Sequence, residues 1–364
     1  MTQSTRRVMI MAGGTGGHVI PALSLARALM VQGIEVEWLG SPKGIENRLV
    51  PEAGIRLHTI AISGLRGNGV AGWLKAPLNL SRAVLQSRRI IATFNPQVVV
   101  GLGGFASGPG GLAAKTLAIP LVIHEQNAVA GLTNRVLSRL ATKTYAAFPQ
   151  AFSQRAEVIG NPVRDDIATL GDTPRDEAAM SARCLRLLVV GGSLGAVALN
   201  ERLAPAIAKL PLSQRPDVWH QAGKARDSDT AALYAKHGIE ARVEPFIDDM
   251  AAAYDWADLV VCRAGALTVA ELAAAAKPAL LVPFPFAVDD HQRINAQVLV
   301  DAQAALCIVQ SELTDERLSH ELANLLTPDT LATMAANARQ AAHLEATQRL
   351  VAGCLAVIPQ GDTA

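Results

Sequence analysis

His18 closes a run of glycines near the start of the chain. The apolar residues 8–12 break into Gly13-Gly14-Thr15-Gly16-Gly17-His18, and a helical pattern follows. About 180 residues later, residues 185–190 break in the same way into Gly191-Gly192-Ser193-Leu194-Gly195-Ala196. Glycine admits positive φ and lets a ligand approach the main chain. The open N–H groups and the dipole of the helix that follows attract phosphate. A neutral imidazole at such a helix start can act as a general base or hold a substrate hydroxyl; otherwise it is an ordinary surface or core residue.

The turns also exclude chemistry. A P-loop needs GxxxxGK[ST], and neither turn has the lysine. The dinucleotide fingerprint GxGxxG fails at its last glycine after His18, and it needs an acid at the end of the next strand. Those ends read Trp38-Leu39-Gly40-Ser41 and His220-Gln221-Ala222-Gly223, with no acid in either. P-loop ATP hydrolysis and NAD or FAD binding are therefore not expected. The remaining reading is two tight turns, with or without a phosphate ligand.

Other polar groups gather at strand ends. Residues 101–111 form a third glycine-dense loop, GLGGFASGPGG. His124-Glu125-Gln126-Asn127 closes an apolar run, which is where parallel sheets bind ligands. HEQN is not HExxH, so zinc is not indicated. In the second half Cys262-Arg263-Ala264-Gly265 leads into Ala266, Leu267, Thr268, Val269, Ala270 and Glu271. Thr268 and Glu271 lie one helical turn apart. The Glu271 carboxylate can accept both hydroxyls of a ribose, or it simply favours a helix start. Asp289 and Asp290 precede His291 and Gln292, but adjacent residues on a helix diverge, so a solvated helix start is preferred to a metal site. No DxD motif ends a strand.

These residues need strands and helices to hold them. Apolar runs at 7–12, 36–39, 57–60, 98–102, 121–124, 144–146 and 157–159 alternate with helical stretches, notably 20–32 and 73–94. The second half repeats the pattern at 185–190, 218–221, 242–245, 259–262, 279–282 and 305–309. Such alternation predicts α/β domains with parallel sheets and crossover helices. At 364 residues two domains are expected, here 1–163 and 164–340. The polar stretch 164–183 reads as linker, and a helix at 341–358 is expected to return to the first domain.

With 4% aromatic residues the cores are aliphatic, and a net charge of +1 gives no global case for nucleic acid. The four cysteines show no CxxC spacing and read as free thiols of a reducing compartment. The apolar start is too short for a signal-peptide core, and no transmembrane helix is expected. Residues 73–89 carry four bases and no acid. Leu74, Leu78 and Leu85 recur there at near-helical spacing beside Lys75, Arg82 and Arg88. That pattern fits a core-packed helix with a basic edge, or an interfacial helix on anionic lipid.

GGTGGH, SGLRG (63–67), GGFASGPGG (103–111), HEQN, GNPVR (160–164), GGSLGA, FIDDM (246–250), CRAGALT and DDHQ…NA (289–296) occur in one collinear order over residues 7–296. The chain thereby resembles the MurG family, the UDP-N-acetylglucosamine:lipid I N-acetylglucosaminyltransferases of bacterial cell-wall synthesis. The resemblance implies a GT-B fold: two Rossmann-like α/β domains with parallel sheets facing a cleft. It implies an inverting, metal-free and cofactor-free transfer that forms lipid II for peptidoglycan synthesis, and so serves cell shape and division. UDP-GlcNAc would lie mainly on the second domain and lipid I on the first. Thr15, Gly16, Gly17 and His18 would border the sugar and diphosphate, with His18 as the base. Asn127 would contact the sugar, and Arg164 and Ser193 the diphosphate. Ile247 would meet uracil through its main chain, Ala266 to Glu271 would hold the nucleotide, and Gln292 would recognise sugar hydroxyls. The family usually reads GGSQGA where Leu194 stands here. A peripheral place on the cytoplasmic face of the inner membrane is implied, through the basic helix of residues 73–89. The alternatives are a GT-B transferase with another acceptor, a UDP-sugar epimerase, or a non-catalytic nucleotide-binding membrane scaffold. SGLRG and GGFASGP favour the lipid I acceptor.

Overall fold

The inner apolar runs, such as residues 98–101 and 259–262, become strands because they lie between two layers of helices. Both strand faces are buried, so the run is continuous rather than alternating. The computed structural model describes residues 6–62, 69–152, 156–173, 177–192, 195–287 and 290–358, without the side chains of 69–75. The chain divides into two compact units, Met1–Arg164 with Leu344–Ala364, and Asp165–His343.

The first unit holds β1 (Arg7–Met11), β2 (Glu35–Gly40), β3 (Arg56–Thr59), β4 (Val98–Gly101), β5 (Leu121–Glu125), β6 (Lys143–Ala146) and β7 (Glu157–Val158). They form one sheet in the order β3-β2-β1-β4-β5-β6-β7. Every pairing is parallel, with Ile10 opposite Trp38 on one side and Val100 on the other. Successive residues of β1 serve opposite faces. Val8 and Ile10 pack with Val19, Leu25 and Leu350, whereas Met9 and Met11 pack with Ala83, Ile91 and Ala113. The Trp38 indole N–H donates to the Ala12 carbonyl at 2.8 Å and pins the end of β1.

The second unit holds β8 (Arg186–Val190), β9 (Asp217–Gln221), β10 (Ala241–Glu244), β11 (Leu259–Cys262), β12 (Ala279–Leu281) and β13 (Ala305–Cys307). Their order is β10-β9-β8-β11-β12-β13, again all parallel. Leu187, Val189, Leu259 and Val261 form its core with Leu199, Leu203, Leu318 and Leu322. In each sheet the strand order reverses once, between β1 and β4 and between β8 and β11. Open α/β sheets bind ligands at the carboxyl ends of such a pair. All the glycine loops singled out above lie there.

One expectation is corrected. Residues 164–183 are not a bare linker: Asp165–Ala168, a 3₁₀ turn Thr169–Asp172 and Glu177–Ser181 are helical, with Ile167 and Met180 buried. The Arg339 guanidinium secures them, donating to the Ala168 and Ala274 carbonyls and pairing with Asp172. Helices of four or five residues are too short to show a period. The last two described helices part between the units. Pro328–Gln340 stays with the second unit, and Ala346–Ala356 packs on the first, where Arg349 pairs with Glu157 at 2.7 Å.

Candidate active site

In the first unit the helix Gly16–Val31 starts from Thr15, whose carbonyl accepts from the His18 and Val19 amides at 3.2 Å. The third glycine loop packs on this turn. At Gly104 (φ +86°) a Cβ would stand 2.5 Å from the Gly13 carbonyl oxygen, and at Gly103 (φ +101°) one would stand 2.7 Å from His18 Nδ1. Glycine is needed at both positions so that two backbones and a ring can meet.

Behind the first turn lies a residue that the sequence reading missed. Glu46 is fully buried, and its carboxylate accepts from the Gly14 amide at 2.9 Å and from the Ser41 hydroxyl at 2.7 Å. A phosphate therefore cannot use the Gly14 N–H, and a carboxylate behind the loop opposes a second anion. Glu46 lies 32 residues from Gly14, and only the β2 to β3 connection brings it back.

HEQN is mostly internal scaffolding. His124, Glu125 and Gln126 are buried. Glu125 accepts from the Asn127 amide and side chain at 3.0 and 3.3 Å and from the Asn134 side chain at 2.8 Å. Asn127 is thus held by its NH₂, with its carbonyl oxygen left to meet a ligand donor. His18 Nδ1 lies 2.9 Å from Gln126 Oε1, Gln126 Nε2 lies 3.1 Å from His124 Nδ1, and His124 Nε2 lies 2.9 Å from the Gly160 carbonyl. Burial pushes the His124 pKa down to about 4, so this imidazole is neutral. The Asn161 side chain donates to the Gln126 carbonyl at 3.1 Å. The loop that ends in Arg164 is therefore tied to the same network.

In the second unit the Gly191 amide donates to the Gln221 carbonyl at 3.2 Å, and a Cβ on Gly195 (φ +74°) would strike the Ala222 carbonyl. Ser193 and Leu194 lie outside the described residues. The helix Ala266–Ala274 starts from Gly265. Leu267, Val269 and Glu271 are buried, so the Ala266–Ala270 stretch offers a ligand mainly main-chain groups. Glu271 accepts from the buried Tyr254 hydroxyl at 3.2 Å, another partner that spacing did not reveal. Burial and the nearby Glu271 push the Cys262 thiol up to about 12. The Asn295 side chain donates to the Ala264 carbonyl at 3.2 Å and fixes the helix His291–Asp301 against this turn. On that helix Gln292 accepts from the Phe284 amide at 2.9 Å, so its NH₂ is the end left for a ligand. Ile247 is buried two residues before Asp249, which caps the helix Met250–Trp256.

The basic segment is a helix, Gly69–Phe94. Ala83, Ser87 and Ile91 face the core, while Leu78 and Leu85 are more than half exposed. The Arg88 guanidinium donates to the Thr116 carbonyl at 3.0 Å. The Leu74 and Lys75 side chains and the SGLRG loop lie outside the described residues. Among the described residues no group of three or more His, Cys, Asp or Glu side chains is placed to hold a metal, and no helix is long and apolar enough to cross a membrane. A cavity of about 420 Å³ lined by Arg7, Glu35, Arg56 and Arg89 opens at the amino ends of β1 to β3, away from the glycine loops.

Residues 8–146 match the glycosyltransferase family 28 N-terminal domain, and residues 186–350 match the family's C-terminal domain. The UDP-N-acetylglucosamine--N-acetylmuramyl-(pentapeptide) pyrophosphoryl-undecaprenol N-acetylglucosamine transferase of Chromohalobacter salexigens is 67% identical over 350 residues, covering 96% of each chain. The enzyme of that name from Stutzerimonas stutzeri is 53% identical, covering 96% of this chain and 98% of the relative. The crystal structure of Acinetobacter baumannii MurG superposes with a TM-score of 0.82 at 44% identity, covering 96% of this chain and 99% of that one.

Proposed function

This chain belongs to glycosyltransferase family 28 and, within it, to the MurG family, and from that premise we propose how its own residues share the reaction. The enzyme is a GT-B transferase that moves GlcNAc from UDP-GlcNAc to lipid I and forms lipid II for peptidoglycan synthesis. The observation that carries this is the 67% identity over 96% of the chain. Incubation with UDP-GlcNAc and lipid I must yield lipid II and UDP; UDP binding without a glycosylated lipid would contradict it.

The donor falls to the second unit. Main-chain groups of Ala266 to Ala270 and of Ile247, with Ser193, hold the nucleotide, and Glu271 accepts from the ribose hydroxyls. Gln292, anchored through its carbonyl at Phe284, donates to a sugar hydroxyl. Asn127, anchored through its NH₂, accepts from the sugar. Arg164 offsets the diphosphate charge that grows as UDP leaves. Thr15, Gly16 and Gly17 border the reacting groups, and His18 takes the proton of the acceptor hydroxyl. Direct displacement then inverts the anomeric centre. Glu271→Ala is expected to weaken UDP-GlcNAc binding by about 1–3 kcal/mol, read by calorimetry. Unchanged affinity would remove the ribose role.

Lipid I carries a polyprenyl chain, so the enzyme must reach a bilayer. The exposed Leu78 and Leu85 beside Arg82 and Arg88 support attachment through Gly69–Phe94 to the anionic cytoplasmic face of the inner membrane.

A further inference from the structure

We propose that Gln126 is a positioning residue for the transfer: together with His124 it fixes His18 in the tautomer that carries its proton on Nδ1, leaving Nε2 as the basic nitrogen. The proposal rests on His18 as the base and adds which atom accepts the proton and what enforces it.

The assignment follows from donors and acceptors. The Gly160 carbonyl only accepts, so His124 Nε2, 2.9 Å away, carries a hydrogen. A neutral imidazole has one N–H, so His124 Nδ1 is an acceptor. The Gln126 group 3.1 Å from that nitrogen must then be its NH₂, which also lies 3.4 Å from the His124 carbonyl, a second acceptor. This settles the orientation of the amide, which heavy-atom positions alone leave open. The other end of Gln126 is its carbonyl oxygen, 2.9 Å from His18 Nδ1. A carbonyl accepts only, so Nδ1 donates, and in the neutral ring the lone pair sits on Nε2.

The network is rigid where it sets the ring. His124 and Gln126 are 0% and 1% exposed, and the Gln126 main chain is held by Asn161. Burial keeps His124 neutral, with its pKa near 4, so a second proton that would reverse the amide is not available at neutral pH. Gly103 stands against Nδ1, where any Cβ would intrude, and the reactive edge of the ring is the opposite one. The same logic underlies a carboxylate that holds the imidazole of a nucleophile-base pair, but here the orienting group is uncharged.

The test uses the full-length protein with ¹⁵N-labelled histidine side chains, His18→Gln serving to assign the His18 signals. The wild type is expected to show a protonated Nδ1 and an unprotonated Nε2 at His18. Gln126→Met keeps the length of the side chain and removes both amide groups. It is expected to lose the single tautomer, with kcat on lipid I about 10- to 100-fold lower and the KM for UDP-GlcNAc within about twofold. A wild-type His18 protonated on Nε2 overturns the proposal, and that spectrum decides even where the Met variant does not fold. Unchanged kcat and tautomer in Gln126→Met also overturn it. An inactive His18→Ala beside a normal Gln126→Met leaves the base and removes the relay. A fully active His18→Ala removes the base itself, and with it the catalytic role of Gln126, whatever the spectrum shows.

Discussion

Behind the first unit's glycine turn stands the Glu46 carboxylate, which takes the Gly14 amide. Behind the second unit's turn the Gly191 amide goes to the Gln221 carbonyl instead. The two sheets share their strand order through the first six strands, and both turns follow the first strand. The wiring behind them differs: a carboxylate takes the amide in one and a main-chain carbonyl in the other. A second pair of features differs in the same sense. Each unit buries a neutral histidine at a strand end, His124 and His220. In the second unit the ring is closed in, 3.0 Å from the Tyr234 hydroxyl and 3.1 Å from Asn200 Oδ1. In the first unit the network continues through Gln126 to a partly exposed imidazole. One fold thus closes a histidine network inward in one copy and leads it to a partly exposed imidazole, the proposed base, in the other.

The comparison is broken most directly at His18. His18→Ala is expected to lower kcat about 100-fold or more, with UDP-GlcNAc affinity nearly intact, because the proposed donor contacts fall mainly to the other unit. Wild-type turnover in a folded variant would leave the first unit's network with no catalytic outlet.

Acid sharpens the comparison, since it treats both buried histidines alike. Each unfolded ring binds a proton near pH 6.5, whereas the folded rings do so only near 4 and 3. Between those values the unfolded state binds more protons, so stability is full above pH 6.5 and falls as the pH drops. At about 1.4 kcal/mol per unit, each histidine removes on the order of 3 kcal/mol by pH 4. Denaturant titrations at pH 7 and 5 read this loss. His220→Gln is expected to flatten the dependence without changing kcat at neutral pH. A fall in its turnover would show that the closed network also serves catalysis.

The strands were legible because parallel sheets covered on both faces demand continuous aliphatic runs, as in Val98–Gly101 and Leu259–Cys262. The glycine turns were legible because they interrupt those runs abruptly. Glu46, Tyr254 and the role of Gln126 were not, since their partners lie 32, 17 and 108 residues away in the chain. His124 and Gln126 were noticed as polar groups at a strand end. Their composition could not show that they face inward while only the neighbouring Asn127 reaches outward. The short helices after Arg164 fell below the length at which a period can be read.

The smallest expected effect tests a third contrast between the units. The helix between β3 and β4 is Gly69–Phe94, 26 residues long, with bases and exposed leucines. Its counterpart between β10 and β11 is Met250–Trp256, seven residues long, preceded by Asp248 and Asp249. Only the first can lie along an anionic surface, and an acidic helix start is repelled by one. Each base near such a surface contributes about 1 kcal/mol, so Arg82→Gln with Lys75→Gln is expected to weaken binding to anionic vesicles roughly 30-fold at low salt. Arg88→Gln is expected to do less, because that guanidinium is already engaged at Thr116. Leu78→Ser and Leu85→Ser are expected to lower binding to anionic and neutral vesicles alike, since they remove buried apolar area rather than charge. Substituting Asp248 and Asp249 is expected to change neither. Co-sedimentation at low and high salt reads all of these. Equal binding to neutral and anionic lipid, or binding insensitive to Lys75 and Arg82, would detach the membrane from this helix and leave the contrast between the units one of length alone.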